Sequence, residues 1–245
     1  MKVFVKKILQ KILGFHCYLF TFSLFCIYRL RWDRKEKDFL HFLKIIKGNG
    51  IILDIGANIG IMTVHLARKF KRSRILAFEP IPDNVHVLKR ILKYFSIKNV
   101  EVFELALSNQ QGNAEMVMPV IDKVKMQGLS HILEGTNSEY NEGIKITAIT
   151  DFIDNLNLVN EGESIEAIKI DVENFEYSVF EGARLTLKKF MPVIYCELWE
   201  NDNRRKCIDL LEGLGYSTMV LNGKKLEKYN KLIYRQQNFF FLHFK

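Results

Sequence analysis

Three short stretches of this chain hold side chains whose types and spacing are suited to binding and acid–base chemistry. In Asp54-Ile55-Gly56-Ala57-Asn58-Ile59-Gly60, two glycines separate an apolar run from a stretch with helical periodicity. Glycines in such a turn let the backbone approach a ligand, and the helix that follows offers free N–H groups. The nicotinamide spacing G-x-G-x-x-G needs glycine at 58 and 61, where this chain has Asn58 and Ile61. Asn enters left-handed geometry at low cost, so the turn can form around Asn58. The acid at the strand end, Asp54, suits a cationic ligand group better than a pyrophosphate. Glu79 ends the next apolar run, where a carboxylate accepts hydrogen bonds from ribose hydroxyls in nucleoside-binding α/β folds. The third stretch runs from Lys169 through Asp171 and Glu173 to Glu176. Strand alternation puts Lys169 and Asp171 on one face, and Glu173 opens the loop beyond. Asp171 or Glu173 is a candidate general base, with Lys169 keeping Asp171 ionised and oriented. Oxygen-only carboxylates also suit Mg²⁺, so metal use stays open. The plain structural alternative is an ion pair followed by helix N-terminal acids. His131 is a third candidate base, but a lone loop histidine is more often surface.

The elements that must position these groups follow from periodicity. Short β-type runs at Ile51–Ile55, Arg74–Phe78, Val100–Leu105, Ile165–Val172 and Val193–Leu198 alternate with helix-period segments, the pattern of a parallel sheet wrapped by helices. Helices are expected from Ile61 to Phe70, from about Asp83 to Phe95 with Asp83 or Asn84 as N-cap, from Phe175 to Phe190, and from Asn203 to Leu214. Ile144–Ile149 reads as a strand, and Thr150 or Asp151 caps a short helix through Leu158. Tyr216–Leu221 and Asn238–Phe244 read as closing strands. Residues 113–143 have no regular pattern and are expected to shape an acceptor pocket.

The chain has 245 residues and a net charge of +8, and that charge is unevenly placed. Residues 1–49 hold 11 Lys/Arg against 3 Asp/Glu, whereas residues 50–245 hold 25 of each sign. A neutral body with a basic extension points to a membrane surface rather than nucleic acid. Two regions follow, a helical extension (1–49) and one α/β domain (50–245). The run Ile12–Tyr28 lacks Asp, Glu, Lys and Arg and is flanked by cations on both sides. Its length is at the lower limit for spanning a bilayer, so a helix lying in the interface on the cytosolic face is favoured over a spanning one and over a helix packed on the domain itself. The first Ala is Ala57, which argues against a cleavable signal peptide. Cys17, Cys26, Cys196 and Cys207 lack metal-site spacing and are expected to be buried, reduced thiols of a cytoplasmic protein.

At LDIGANIG (53–60), AFEPIPDN (77–84), ALSNQQG (106–112), IKIDVENFEYSVFEGA (168–183) and PVIYCEL (192–198), the sequence resembles the FkbM-type methyltransferases. The resemblance implies a class I fold: a Rossmann-like, doubly wound, mostly parallel seven-stranded sheet with one antiparallel strand near the end. It implies S-adenosylmethionine as cofactor, its methionine part embraced by Asp54, Gly56, Ala57, Asn58 and Gly60. It further implies Glu79 on the ribose, the Ala106 region beside adenine, and the Asp171 strand end facing the acceptor. The implied reaction is O-methylation of a hydroxyl on a sugar or glycan, a lipid-linked or a natural-product acceptor. One departure stands out: the family usually has Gly after Asp-Val-Glu, and this chain has Asn174, which also tolerates positive φ. The rival readings are a nicotinamide-dependent oxidoreductase and a degenerate, membrane-tethered nucleoside-binding or interaction module.

Overall fold

A computed structural model describes residues 3–132 and 142–244; the part of the 113–143 stretch formed by 133–141 lies outside the described residues. The apolar runs form a parallel core of β1 (Ile51–Ile55), β2 (Ile75–Phe78), β3 (Val100–Phe103), β9 (Ile165–Ile170) and β10 (Val193–Glu197). Between β3 and β9 lie β4 (Ala106–Leu107), β5 (Gly112–Ile121), β6 (Val124–Lys125), β7 (His131–Ile132) and β8 (Gly143–Asp151). β11 (Ser217–Asn222), β12 (Lys225–Lys228) and β13 (Asn238–Leu242) close the chain. The main sheet runs β12-β11-β13-β10-β9-β1-β2-β3. β13 lies antiparallel between β10 and β11, which supplies the expected antiparallel strand. The difference from seven strands is β12, paired to β11 through an Asn222-Gly223-Lys224 turn in which Gly223 has φ 60°. Asn222 pairs with Lys225, so Gly223-Lys224 is a two-residue hairpin loop with glycine at its first position, but the charged Lys-Leu-Glu-Lys strand has no apolar pattern to reveal it.

The helices are α4 (Ile61–Lys69), α5 (Pro82–Tyr94), α6 (Glu176–Glu181), α7 (Arg184–Phe190) and α8 (Asp202–Gly213), preceded by α1 (Val3–Leu13), α2 (Phe15–Arg29) and α3 (Lys37–Ile45). Three expectations are corrected. α5 begins at Pro82 with Ile81 in the cap position and Asp83 within the first turn, because proline is preorganised for the first helical residue. The single helix over 175–190 breaks at Gly182, where a Cβ would sit 2.1 Å from the Ser108 carbonyl. The helix expected through Leu158 is only a 3-10 turn at Ile153–Asn155, and the Asp154 carboxylate there accepts from the N–H groups of Leu185 and Thr186, capping α7.

The stretch read as irregular contains β5, which pairs with β8 from Gly112↔Thr150 to Pro119↔Gly143. Pro119 argues against a strand by sequence. The pairing survives because Gly143 lies opposite, where a Cβ would meet the Met118 carbonyl at 2.1 Å. With β4, β6 and β7 these strands make a second small sheet over the end of the first.

The extension packs on the domain. α3 buries Phe39, Phe42 and Leu43 against Ile52, Tyr195 and Phe240. Gly14 (φ 74°) divides the apolar run 12–28. α2 then buries Tyr18, Leu19 and Ile27 with Ile59, Val64, Val87 and Ile91 of the loop and helices beside the site. No helix among the described residues is long and apolar enough to cross a membrane. All four cysteines are free; Cys196 and Cys207 are buried as expected, whereas Cys17 is exposed and Cys26 half-buried.

Candidate active site

β1 lies between β2 and β9, the point at which the strand order reverses and where open α/β sheets bind ligands at their carboxyl ends. The loop after β1 has the left-handed geometry anticipated for it: φ is 74° at Gly56, 50° at Asn58 and 84° at Gly60. Gly56 is obligatory, since a Cβ would lie 1.9 Å from the Asp171 carbonyl oxygen. Gly60 admits Leu88, whose Cδ1 would be 2.5 Å from an added Cβ, and heads α4. Asn58 stabilises its own turn, its Oδ1 accepting from the Ile59 N–H at 2.8 Å.

Glu79 is buried and organises this loop. Its Oε2 accepts from the Asn58 N–H at 2.8 Å; its Oε1 accepts from the Ile81 N–H at 3.0 Å and from Asn84 Nδ2 at 3.1 Å. Burial raises its pKa, and those hydrogen bonds oppose the rise. Two carboxylate oxygens offer about four acceptor directions, so roughly one remains for a ligand hydroxyl.

Asp54 has a different place from the one its motif implied. It is fully buried, accepting from Thr63 Oγ1 at 2.6 Å and pairing with Lys169 Nζ at 3.3 Å. Lys169 in turn donates to the carbonyls of Gly56 at 2.9 Å and Ile55 at 3.4 Å. Asp54 is therefore joined to the glycine loop through Lys169. The ion pair of Lys169 is with Asp54 rather than Asp171. Burial opposes the Lys169 charge, but Asp54 and then Asp171 outweigh it and leave the ammonium above its usual pKa.

A cleft open to solvent extends from this loop, with about 690 Å³ of empty space including that solvent. Gly56, Asn58, Glu79, Ala106, Asp171 and Glu173 line it. A second cleft of about 680 Å³ adjoins it, lined by Gly56, Ala57, Asn58, Lys169 and Asp171. The sequence-derived residues thus converge on one place, except that Asp54 and Gly60 support it from below. His131 lies on β7, its Nδ1 against the Leu129 carbonyl at 3.0 Å.

At the mouth, burial and then the neighbouring carboxylates of Asp171, Glu197 and Glu176 push Glu173 up to about 8. Burial raises Glu176 and Glu197 to about 7 each. Glu173 and Asn174 both have positive φ, 53° and 76°, so Asn174 takes the conformation that glycine would otherwise supply. Among the described residues, no group of three or more His, Cys, Asp or Glu is arranged to hold a metal ion.

Sequence reasoning missed several contributors. Glu197 ends β10 beside β9 and obeys the same strand-end rule that marked Asp171. Phe22, Leu30 and Glu36 bring the extension into the wall of the second cleft; nothing local in the sequence announces that. Gln127, at the start of the 3-10 turn between β6 and β7, lines both clefts and is 6% exposed, and its side-chain oxygen has no hydrogen-bond partner among the described residues.

This geometry accompanies a clear family match. The methyltransferase FkbM domain matches residues 54–218, from the acid of the glycine loop into β11. The chain belongs to the FkbM methyltransferase family. Methyltransferase sdnD of Sordaria araneosa is 27% identical over 194 residues, covering 70% of this chain and 75% of that one. Methyltransferase 1 of Beauveria bassiana is 26% identical over 148 residues, covering 55% and 58%. A solved FkbM methyltransferase from Methylobacillus flagellatus has the same fold, with a TM-score of 0.51 at 14% identity over 80% of this chain. The present chain spans 44% of that one.

The cofactor of an FkbM methyltransferase is S-adenosylmethionine, and the residues present fit it. A backbone cradle at Gly56 excludes any side chain, a buried carboxylate at Glu79 faces the cleft, and the Gln127 oxygen, unpaired among the described residues, can accept from a donor on a ligand. Gly56, Ala57 and Asn58 would hold the methionine portion, Glu79 the ribose, and Ala106 the base.

Proposed function

We propose that this enzyme methylates a hydroxyl oxygen of a sugar or glycan, lipid-linked or natural-product acceptor. The observation that carries this reading is a pair of carboxylates, Asp171 and Glu173, lining the cleft that begins at Gly56 and Asn58. The bound cofactor supplies an electrophilic methyl group. The protein must orient the acceptor and take its proton, which an alcohol gives up only to a positioned base. Glu173, with a pKa of about 8, is matched to proton removal near neutrality, where a base works best when its pKa lies close to the operating pH. Asp171 raises that value by like-charge repulsion and occupies the junction of the two clefts. Lys169 holds the Gly56 carbonyl, and so fixes the floor on which both act.

Membership of the family sets methyl transfer; the hydroxyl assignment rests on the carboxylates. The test is incubation of the protein with methyl-labelled S-adenosylmethionine and cell extract, followed by separation into lipid, glycan and small-molecule fractions. Base-stable, ether-linked label that depends on Glu173 supports the reading. Label on nitrogen or carbon overturns it.

A further inference from the structure

The first helix packs against the domain through Leu9, which meets the cluster around Tyr18 and Leu19, and through the polar side chains of Lys6 and Gln10. Gln10 makes a reciprocal pair with the backbone of Lys125, its Nε2 donating to the carbonyl at 3.1 Å and its Oε1 accepting from the N–H at 3.2 Å. Lys6 Nζ reaches Met126 Sδ at 3.9 Å. The opposite side of α1 carries Phe4, Ile8 and Ile12, one residue per helical turn, with Phe4 70% and Ile12 73% exposed. Lys7 and Lys11, also exposed, flank that ridge. Helices of soluble domains turn such a ridge toward the core. Here the fold turns it away.

The charge around the ridge says what covers it. Residues 1–32 contain six Lys or Arg and no Asp or Glu. Beyond α2, Trp32 is 72% exposed, with the Arg31 guanidinium 5.0 Å from its ring centroid, and Arg29 stands 5.8 Å from the ring of exposed Phe25. Apolar residues beside Lys7 and Lys11 suit an interface where acyl chains meet negative headgroups, and the aromatic–arginine pairs at the end of α2, where Arg29 also pairs with Asp33, are of the same kind. A second copy of this chain would bring one row of lysines against another. We propose that α1 lies in the headgroup plane of an anionic lipid bilayer, with Phe4, Ile8 and Ile12 inserted and Lys7 and Lys11 on the phosphates. None of these residues lines the active-site clefts, so docking leaves the cofactor site accessible.

The test is co-sedimentation of the full-length protein with phosphatidylcholine vesicles, with and without phosphatidylglycerol. Binding is expected on the anionic vesicles only, with release by salt. F4S/I8S/I12S and K7E/K11E should each weaken that binding by roughly tenfold or more. S-adenosylhomocysteine affinity and melting temperature should stay unchanged, which shows that the fold is intact. Failure of the wild type to bind anionic vesicles, or equal binding by all three proteins, overturns the proposal. So does a wild-type dimer in sedimentation velocity that I8E dissociates, since the ridge would then be a contact between copies. Cofactor binding by the wild type is read separately, so failure of docking and failure of the methyltransferase reading are distinguishable.

Discussion

At the scale of single residues, the proposed chemistry draws on one acid with a raised pKa, Glu173, and one buried amide, Gln127, whose oxygen has no hydrogen-bond partner among the described residues. Burial and the Asp171 carboxylate both raise Glu173. Replacing Asp171 by Asn should therefore move the rising limb of the pH–rate profile to lower pH, because the like charge is gone. Glu173→Gln should remove that limb and lower kcat by roughly 10²–10⁴, the usual share of a positioned base. Both are read from kcat/KM against pH with the labelled acceptor; unchanged turnover in E173Q would exclude Glu173 as the base. Gln127 makes a different prediction. A buried acceptor without a partner costs about 1–3 kcal/mol, a cost that a ligand donor removes. Gln127→Ala should then weaken S-adenosylhomocysteine binding about tenfold, roughly 1.4 kcal/mol, without lowering the melting temperature. Calorimetric titration beside a thermal melt reads both; a purely structural glutamine would give the reverse pattern.

At the scale of elements, the parallel strands and the turn after β1 were legible because apolar runs and Gly56-Ala57-Asn58 are local signals. The convergence of Asn58, Glu79 and Asp171 was legible too, since all three end strands that the fold places side by side. β5 was not, because Pro119 speaks against a strand until Gly143 is seen opposite it. The break between α6 and α7 was hidden as well, for Gly182 matters only through the Ser108 carbonyl of another segment. Long-range chemistry of this kind also joins the extension to the sheet. The Glu166 carboxylate on β9 accepts from the N–H groups of Lys47, Gly48, Asn49 and Gly50 at 2.6–3.1 Å. Charge-assisted bonds to four consecutive donors fix the entry into β1, and Gly48 has φ 82° there. Glu166→Ala should cost about 2–3 kcal/mol in urea unfolding, and Glu166→Gln less. A loss below the usual range for surface substitutions, about 0.5 kcal/mol, would show that the loop holds itself.

At the scale of the whole molecule, the gathering of acids at one sheet edge sets the pH dependence of stability. Glu173 has a folded-state pKa of about 8, and Glu176 and Glu197 of about 7, each through burial first and then nearby carboxylates. In the unfolded chain all three return to about 4.3. Between these limits the folded state holds more protons than the unfolded one, so stability from these groups is fully present below about pH 4 and falls as pH rises through 7–8. Stability from these acids should therefore be greater at pH 5 than at pH 8. Glu197→Gln isolates the effect, because it removes one of the raised acids without touching the glycine loop. About 1 kcal/mol gained at pH 8 would raise the melting temperature by roughly 2–4 °C for a chain of this size, with no gain at pH 5. Equal shifts at both pH values would mean that E197Q acts through packing, and that the acids at this edge are not in conflict. A bound sulfonium cation at the same edge would relieve that conflict, so the stabilisation by S-adenosylmethionine should exceed that by its neutral-sulfur product more at pH 8 than at pH 5.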